Sequence, residues 1–442
     1  MRSRLKTAAI LIVATTGLIG LVGCQAQAGS VSGQGKVALN YYTWFPSEAI
    51  LTKAIAGFEK ANPNITVNLK EFTNTDYQKA LPLALSGGEP VDIAGVQIDA
   101  MTNTVKDQLL PVSKWKSDLD PGIYSSIDAK ALKQTANVAS DGKLYSLPLG
   151  SIGSAVMFYN ATMLKELGMT PPRTAKELQA DVAVIKAKKP GILPVATAGK
   201  DAWWQEEVLM TLAEQDNPGI SSQIISGTGK WNQPAMIAAL QTYKGMFDSG
   251  ILSTDSLSVA YGDHNTQFND GKAVFLIDAT WNNYYLSAAA RKAAKNDLAD
   301  VGAVAIPVMH AGGKPAARAL TEGGLAIPTT SKHPAEAAKF ISYMFSKAGV
   351  NTWGPDLVVI PSVKGFSLPA DTLTTPAAVD GLKTITSLVL NATSARHSNQ
   401  AFNNAVEGNA ILDVLSGKKT AKEAADFMQS EWTSGRYPHG KQ

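Results

Sequence analysis

The residues of this chain that are best suited to recognise a small molecule are aromatic and amide side chains that follow strand-like segments. Trp281 lies between Asp278 and Asn282, just after the apolar run 273–277. The apolar face of a pyranose packs on the electron-rich face of an indole ring. Its hydroxyl groups both donate and accept hydrogen bonds, so planar carboxylates and amides satisfy them in pairs. This combination predicts a surface that binds a sugar, with Trp281 as its platform.

Other tryptophans of the chain are assigned by their surroundings. Trp203 and Trp204 are adjacent at the start of a helix-like segment. Helical periodicity allows only one of them to face a ligand, and we place Trp204 in the site while leaving the choice between the two open. Trp231 and Trp432 are expected to pack in the core. Trp44 follows a strand and precedes loop residues, which favours a place in the site.

Cys24 is a second reactive group and the only cysteine of the chain. Three basic residues within the first six positions and an apolar run over 8–22 precede it, and this run is shorter than the roughly 20 residues of a membrane-spanning helix. The preceding Leu21-Val22-Gly23 resembles the bacterial lipobox. We therefore expect residues 1–23 to be a signal peptide, and Cys24 to become the lipidated N-terminus of a tether over 24–36. This predicts a protein anchored on the outer face of the cytoplasmic membrane.

Signatures of catalysis and of metal binding are missing from the sequence. It contains no Gly-x-Ser-x-Gly elbow, no His-Glu-x-x-His pair, no Walker loop and no Gly-x-Gly-x-x-Gly stretch. Its five histidines are far apart, and no calcium-loop pattern is present. We expect a protein that is not an enzyme and holds no cofactor. The alternative is an anchored extracellular polysaccharide hydrolase, which needs two carboxyl groups flanking the scissile bond.

The charge balance limits the partners of the protein. The whole chain has 40 basic and 37 acidic residues. Cleavage before Cys24 removes three basic residues and no acidic ones, so the mature chain has a formal net charge of zero. Nucleic-acid binding rests on a basic surface, and so does binding to an anionic membrane surface. We therefore expect neither of these modes of binding.

Strand-like and helix-like segments alternate in the first hundred residues, at 37–44, 47–61, 65–69, 77–86 and 91–96. This rhythm predicts a parallel sheet with helices on both faces. Ligands of such sheets bind beyond the carboxyl ends of the strands, which here are marked by Trp44 and Asp99. The middle of the chain has helical periodicity, and strand-like segments return at 301–307 and 324–328. The chain is therefore expected to cross more than once between two lobes.

Several blocks of sequence resemble a known family by their order and spacing behind the lipobox. They are Tyr42-Thr43-Trp44 and the segments 58–67, 87–93, 141–148, 158–160, 268–275 and 322–328. This arrangement is similar to that of the bacterial ABC-transporter solute-binding proteins that capture carbohydrates, the group that includes maltodextrin-binding proteins. The likeness extends from about residue 37 to 435.

The resemblance implies an α/β, two-lobed periplasmic-binding-protein fold of type II, with ligand in the cleft between the lobes. Crossover strands are expected near 149–151, 303–305 and 325–327. Lobe I then comprises 37–149 plus 305–325, and lobe II comprises 150–304 plus 326–442. The implied function is that of a monomeric binding protein. It captures a mono- or oligosaccharide and delivers it to the transmembrane subunits of an ABC permease.

The resemblance also implies a set of ligand contacts. These fall on Trp44, Asp99, Ser151, Trp281 and the turn Glu322-Gly323, with Asp76 and Trp204 as weaker placements, and Asp278 joins them as the neighbour of Trp281. Asp99 either faces the cleft or caps a helix. Four further residues match motif positions but are expected to be structural, namely Asp92, Tyr159, Asn160 and Gly271.

Overall fold

Strands and helices alternate at the start of the chain, as the sequence predicts. A computed structural model describes residues 36–99, 101–396 and 402–437. Its first elements are β1 (Val37–Thr43), α1 (Glu48–Ala61), β2 (Ile65–Glu71), α2 (Asn74–Ser86) and β3 (Ile93–Val96). The buried residues of α1 recur at helical spacing from Ile50 to Phe58 and form the face that packs on the sheet. The predicted signal peptide and Cys24 lie outside the described residues.

The middle of the chain is rich in helices, with strands between them. It contains α3 (Thr102–Val105), α4 (Ile123–Ser126), α5 (Ala129–Val138), β4 (Leu147–Gly153), β5 (Ala155–Asn160), α6 (Ala161–Leu167), α7 (Ala175–Lys188), β6 (Leu193–Ala196), α8 (Ala202–Asp216), α9 (Ile220–Ile225), α10 (Pro234–Asp248) and α11 (Asp263–Asn269). Capping side chains fix several helix starts. Thr174 and Glu177, for example, form a complete capping box at the start of α7.

The last part of the chain returns to the strands and then ends in helices. Its elements are β7 (Ala273–Ala279), α12 (Ala288–Ala293), β8 (Val301–Val304), β9 (Ala319–Ala326), α13 (Pro334–Phe345), α14 (Lys347–Trp353), β10 (Ile360–Pro361), α15 (Pro376–Leu390), α16 (Gly408–Leu415) and α17 (Ala421–Thr433). Pro334 is the first residue of α13, the helical position that proline favours. Within the described ranges, no helix combines the length and the apolar character needed to cross a membrane.

The described strands form two sheets, one in each lobe. The sheet of lobe I has the order β10-β4-β9-β3-β1-β2, and that of lobe II has the order β6-β7-β5-β8. β1, β2 and β3 are parallel. β4 runs in the same direction, because both β3 and β4 pair antiparallel with β9. The carboxyl ends of these four strands therefore lie at one edge of the first sheet.

The second sheet presents the corresponding edge to the first. β4 passes into β5 through Ser154 alone. β7 and β8 pair antiparallel with β5, so Ala279 lies opposite Ala155 and Val304 lies opposite Met157. The carboxyl ends of β7 and β8 thus lie near the start of β5, and β6 is parallel to β7. The carboxyl edges of both sheets meet where the chain crosses between the lobes.

The position of the third crossover differs from the expected one. β9 pairs with β3 and β4 up to Ala326, and the chain then remains in lobe I instead of leaving it at 325–327. The apolar face of α13 packs in the core of lobe I, where the ring of Phe340 lies 5.8 Å from that of Tyr41. β10 then pairs with β4. Residues 326–361 therefore belong to lobe I, and the return to lobe II falls between β10 and α15, which packs against β8.

Each lobe has its own hydrophobic core. That of lobe I gathers residues from β1, α1, β4 and α13. That of lobe II gathers residues from β5, β7, α8, α10 and α16. Trp231 and Trp432 are buried in the core of lobe II, with ring centroids 5.9 Å apart, as the sequence predicts. Two independent cores fit a molecule whose lobes pivot about the crossover segments.

Candidate functional site

Trp281 lies at the boundary between the lobes. It follows β7 at the edge that faces the first sheet, and its side chain packs against the hydrophobic cores of both lobes. The preceding Thr280 attaches this segment to the first crossover, because the amide of Gly153 donates to Thr280 Oγ1 over 2.6 Å. The indole of Trp281 remains partly exposed. Trp281 is therefore held where a ligand that contacts both lobes would lie.

A polar network fixes the orientation of the Trp281 ring. Trp281 Nε1 donates to the hydroxyl oxygen of Tyr261 over 2.7 Å, and that hydroxyl donates to Asp278 Oδ1 over 2.6 Å. Asn282 Nδ2 donates to Asp278 Oδ2 over 2.6 Å, and Asn265 donates to the same oxygen. Burial, followed by the nearby Asp278 carboxylate, raises the pKa of Tyr261 well above its ordinary value, so the phenol keeps its proton. Asp278 is completely buried and therefore positions the platform.

Trp203 and Trp204 have different environments. Trp204 has no exposed surface, and its Nε1 lies 3.3 Å from Thr197 Oγ1. Trp203 is partly exposed, and its ring centroid lies 4.7 Å from that of Tyr261 and 6.4 Å from that of Trp281. The placement of Trp204 as a direct contact is corrected on this geometry. Trp204 supports the aromatic cluster from the core, and Trp203 is the tryptophan with a face available to a ligand.

Arg396 covers part of the platform, and sequence reasoning did not identify it. Its guanidinium carbon lies 4.3 Å from the centroid of the Trp281 ring, within the range of a cation–π contact. Arg396 Nε donates to Glu207 Oε1 over 2.6 Å. The local sequence around Arg396 carries no motif. The only signal is an isolated basic residue in a run of small and polar residues from 391 to 400.

Two predicted carboxyl groups of lobe I are perturbed by the same environment. Burial is the largest cause that raises the pKa of both Asp99 and Glu322 to about 7. Repulsion from Glu322 raises the pKa of Asp99 further. The guanidinium of Arg396 acts in the opposite direction and lowers the pKa of both carboxyl groups. Glu322 Oε1 accepts the amide of Gly323 over 3.0 Å. Glu322 is buried and Asp99 is partly buried, and the same cation acts on both carboxyl groups.

Lobe II contributes a buried charge cluster beside this region. Arg318 donates to both Glu206 and Glu207, reaching Glu207 Oε2 over 3.1 Å, and all three side chains are almost completely buried. Burial raises the pKa of Glu206, although Arg318 opposes the shift. Glu206 also acts electrostatically on Asp99 of lobe I. Glu407 is fully buried, and burial, followed by the nearby Glu206, raises its pKa well above the ordinary value, which favours the protonated form.

The remaining predicted contacts are Trp44, Asp76 and Ser151. They differ in how far their side chains are exposed and free to contact a ligand. The partly exposed ring of Trp44 stacks on Tyr77 with centroids 5.3 Å apart. Asp76 is exposed and closes the first turn of α2, since Thr73 Oγ1 donates to its Oδ2 over 2.7 Å. Ser151 is partly buried on β4, opposite Thr321 of β9. These placements leave Asp76 with a capping role and keep Trp44 and Ser151 as candidates.

Gly323 has a backbone conformation that favours glycine. Its φ is 68°, and a Cβ at this position would lie 3.0 Å from the Leu149 side chain. A side chain here would strain the backbone and push against β4. The sequence suggested a turn at Glu322-Gly323, but both residues lie within β9, and Gly323 permits the close approach of β9 to β4.

The chemical character of the site is aromatic and acidic. In the described ranges, no group of three or more histidine, cysteine, aspartate or glutamate side chains is arranged to hold a metal ion. An aromatic face with carboxyl groups around it matches the apolar faces and hydroxyl groups of a carbohydrate. The arrangement can bind such a molecule by stacking and by hydrogen bonds.

A family model and curated relatives assign the chain to the same kind of protein. Residues 43–351 match the family model described as bacterial extracellular solute-binding protein. The chain is 26% identical over 353 residues to the "Multiple sugar-binding protein" of Streptococcus mutans, an alignment that covers 74% of this chain and 77% of the relative. It is 24% identical to the "Uncharacterized ABC transporter extracellular-binding protein PH1214" of Pyrococcus horikoshii, covering 82% of this chain and 80% of the relative.

Solved structures share the fold. A structure described as "Chitin oligosaccharide binding protein" superposes with a TM-score of 0.71 at 21% sequence identity, covering 90% of this chain and 98% of the other. "Maltose bound T. maritima MalE3" superposes with a TM-score of 0.72 at 17% identity, covering 90% and 99%. The two-lobed α/β fold expected from the sequence is confirmed by these likenesses.

Proposed function

Because the chain belongs to the family of bacterial extracellular solute-binding proteins, we propose that it captures a carbohydrate between its lobes and delivers it to an ABC importer. The proposal includes release of the sugar unaltered. The family supports capture in preference to hydrolysis, the alternative left open by the sequence. The permease and the lipid anchor at Cys24 are further parts of the proposal, as is a monomeric state.

The observation that carries the proposal is the position of Trp281. Its side chain is partly exposed and packs against the cores of both lobes. Arg396, which lies over this ring, also acts electrostatically on the carboxyl groups of Glu322 and Asp99 in lobe I, so these groups are the candidates for contact with a stacked sugar. The relatives named for multiple sugars and for chitin oligosaccharide support the same class of ligand.

The mechanism follows from differential affinity. A ligand that contacts both lobes favours the closed arrangement by the free energy of those additional contacts. Micromolar binding corresponds to about −8 kcal/mol. An aromatic stack contributes about 0.5–1.5 kcal/mol beyond the area that it buries. Several hydrogen bonds of about 1 kcal/mol each supply much of the rest, against the cost of association.

The first experiment is a thermal-shift screen of the mature protein with neutral mono- and oligosaccharides, followed by calorimetry of every ligand that raises the melting temperature. We expect stoichiometric heat and recovery of the sugar unchanged by chromatography. Turnover of the sugar would overturn the proposal. A panel without any stabilising saccharide would do the same.

A variant pair tests the role of Trp281. Trp281→Ala should weaken sugar binding at least tenfold, a loss of about 1.4 kcal/mol or more. It should also lower the melting temperature, because the ring packs against both cores. Phe427→Ala is the control, since this aromatic side chain is 39% exposed on α17 and lies outside the proposed site. Equal affinities of the two variants would remove Trp281 from the site.

A further inference from the structure

We propose that the interlobe site selects uncharged saccharides and rejects those that carry a carboxylate or a phosphate group. This inference rests on the proposed function and specifies its ligand class. It follows from the carboxyl groups that lie around the platform and from the cations near them, which are already engaged by the protein.

The carboxyl groups come from both lobes. Asp99 and Glu322 lie on lobe I, and Glu206 of lobe II acts electrostatically on Asp99. Asp278 is joined to the edge of the platform through Tyr261. An anionic ligand stacked on Trp281 would therefore meet acidic groups of both lobes, which repel it once they are ionised.

The cations of the cluster are not available to a ligand anion. Arg318 has no exposed surface and donates to Glu206, to Glu207 and to the carbonyl oxygen of Arg396. Arg396 is 5% exposed, donates through Nε to Glu207 and lies over the Trp281 ring. Drawing either guanidinium away from these partners would weaken its pairing with a buried glutamate, and loss of such a partner is strongly unfavourable.

Burial strengthens this discrimination. The pKa of Asp99 and that of Glu322 are raised to about 7, mainly because burial disfavours the charged form. A site that already resists ionisation of its own acids resists a further anion for the same reason. Glu206 adds a buried Oε2 that has no hydrogen-bond partner among the described residues. A neutral hydroxyl of a ligand can donate to a carboxyl oxygen at the rim of the site without adding charge.

The test compares neutral and anionic saccharides on the mature protein at pH 7.5 by calorimetry. The neutral probes are raffinose, xylotriose, N,N′-diacetylchitobiose and maltotriose. The anionic probes are trigalacturonate, glucuronate-substituted xylotriose, maltose 6′-phosphate and glycerol 3-phosphate. We expect at least one neutral probe to bind, and each anionic probe to bind at least 100-fold more weakly than the best neutral one. An anionic probe that binds as tightly as the best neutral probe would overturn the inference but leave carbohydrate capture intact. Absence of binding by every probe would overturn the proposed function, and this inference with it.

Variants test whether the carboxyl groups are the cause. The Asp99→Asn, Glu322→Gln double variant should reduce the difference between neutral and anionic probes at least tenfold. Asp99→Asn alone should give a smaller change in the same direction and guards against misfolding of the double variant. Asp371→Asn, at an exposed position outside the site, should leave the difference as in the wild type. A discrimination unchanged in the folded single and double variants would refute the assignment.

Discussion

Replacement of Arg318 by methionine is predicted to destabilise the protein strongly, since it removes the cation between two buried glutamates. Arg318 has no exposed surface and contacts both Glu206 and Glu207. Burial alone would lower the pKa of this arginine, but the glutamates raise it above its ordinary value, so it is charged in the native state. After the replacement, Arg396 alone remains to balance two carboxylates.

The size of the effect follows from the cost of leaving a buried charge unpaired. Removing one partner of a buried ion pair costs about 3–5 kcal/mol. With an unfolding entropy of about 2.1 cal/mol/K per residue over some 400 residues, this loss lowers the melting temperature by about 4–6 °C. Differential scanning calorimetry measures the shift. Lys53→Met is the control, because Lys53 is 55% exposed and its pair with Asp356 contributes at most about 1 kcal/mol.

A double variant tests the electrostatic cause. Adding Glu206→Gln to Arg318→Met removes the carboxyl group that has lost its partner, since Glu207 still pairs with Arg396, and should restore at least half of the lost stability. A cavity or lost packing would not respond to this change, so the two losses would then add. The reasoning is refuted if the second substitution lowers the melting temperature further, or if Arg318→Met is as mild as Lys53→Met.

Three further predictions concern the same region. Because the pKa of Asp99 and that of Glu322 are raised to about 7, the folded state holds more protons than the unfolded state between about pH 4 and pH 7. The free energy of unfolding contributed by these groups therefore falls as the pH rises from about 4 to about 7, and changes little above that. The Asp99→Asn, Glu322→Gln variant should therefore lose less stability between pH 5.5 and 8 than the wild type, and identical calorimetric pH profiles would contradict this. Tyr261→Phe removes the acceptor of the Trp281 indole and should lower stability by about 1–2 kcal/mol and sugar affinity about tenfold, measured by urea unfolding and calorimetry; unchanged affinity would mean that the network does not orient the ring. Glu407→Gln should change the free energy of unfolding at pH 7.5 by less than about 1 kcal/mol, because burial favours the protonated form of this carboxyl, and a larger loss in urea unfolding would show that its charge is needed.

The local periodicity of apolar residues predicts most of the helices and strands. The buried positions of α1 are spaced as a helix requires, and the strands before and after it alternate or are wholly apolar, so both were readable without tertiary information. The sequence did not predict that the chain stays in lobe I after β9. The segment at 324–328 is strand-like in either sheet, and only its pairing with β3 and β4 assigns it to lobe I. Sheet membership is a long-range property that a local pattern does not contain.

The candidate site divides in the same way. Trp281 was identifiable because it follows a strand directly and has polar neighbours within four residues. Arg396 was not, since its partner Glu207 is 189 residues away in the sequence. The choice between Trp203 and Trp204 depended on which face of α8 meets the core of lobe II. The sequence does not mark that face, because every residue of α8 from Trp204 to Gln215 is buried and polar side chains are buried among the apolar ones.

The buried charges and the ligand platform form one connected structure. Glu207 accepts hydrogen bonds from Arg318 and from Arg396. Arg318 lies at the end of the second crossover, the segment between β8 and β9. Its amide donates to Ser154 Oγ of the first crossover, which joins β4 to β5, over 2.9 Å. Arg396 reaches from the same glutamate to the face of Trp281. A ligand that moves Trp281 or Arg396 therefore acts on Glu207, and through it on the two crossovers about which the lobes turn. In this fold, the buried charges at the crossovers are thus connected to the ligand platform through Arg396, which gives binding a physical route to the relative position of the lobes.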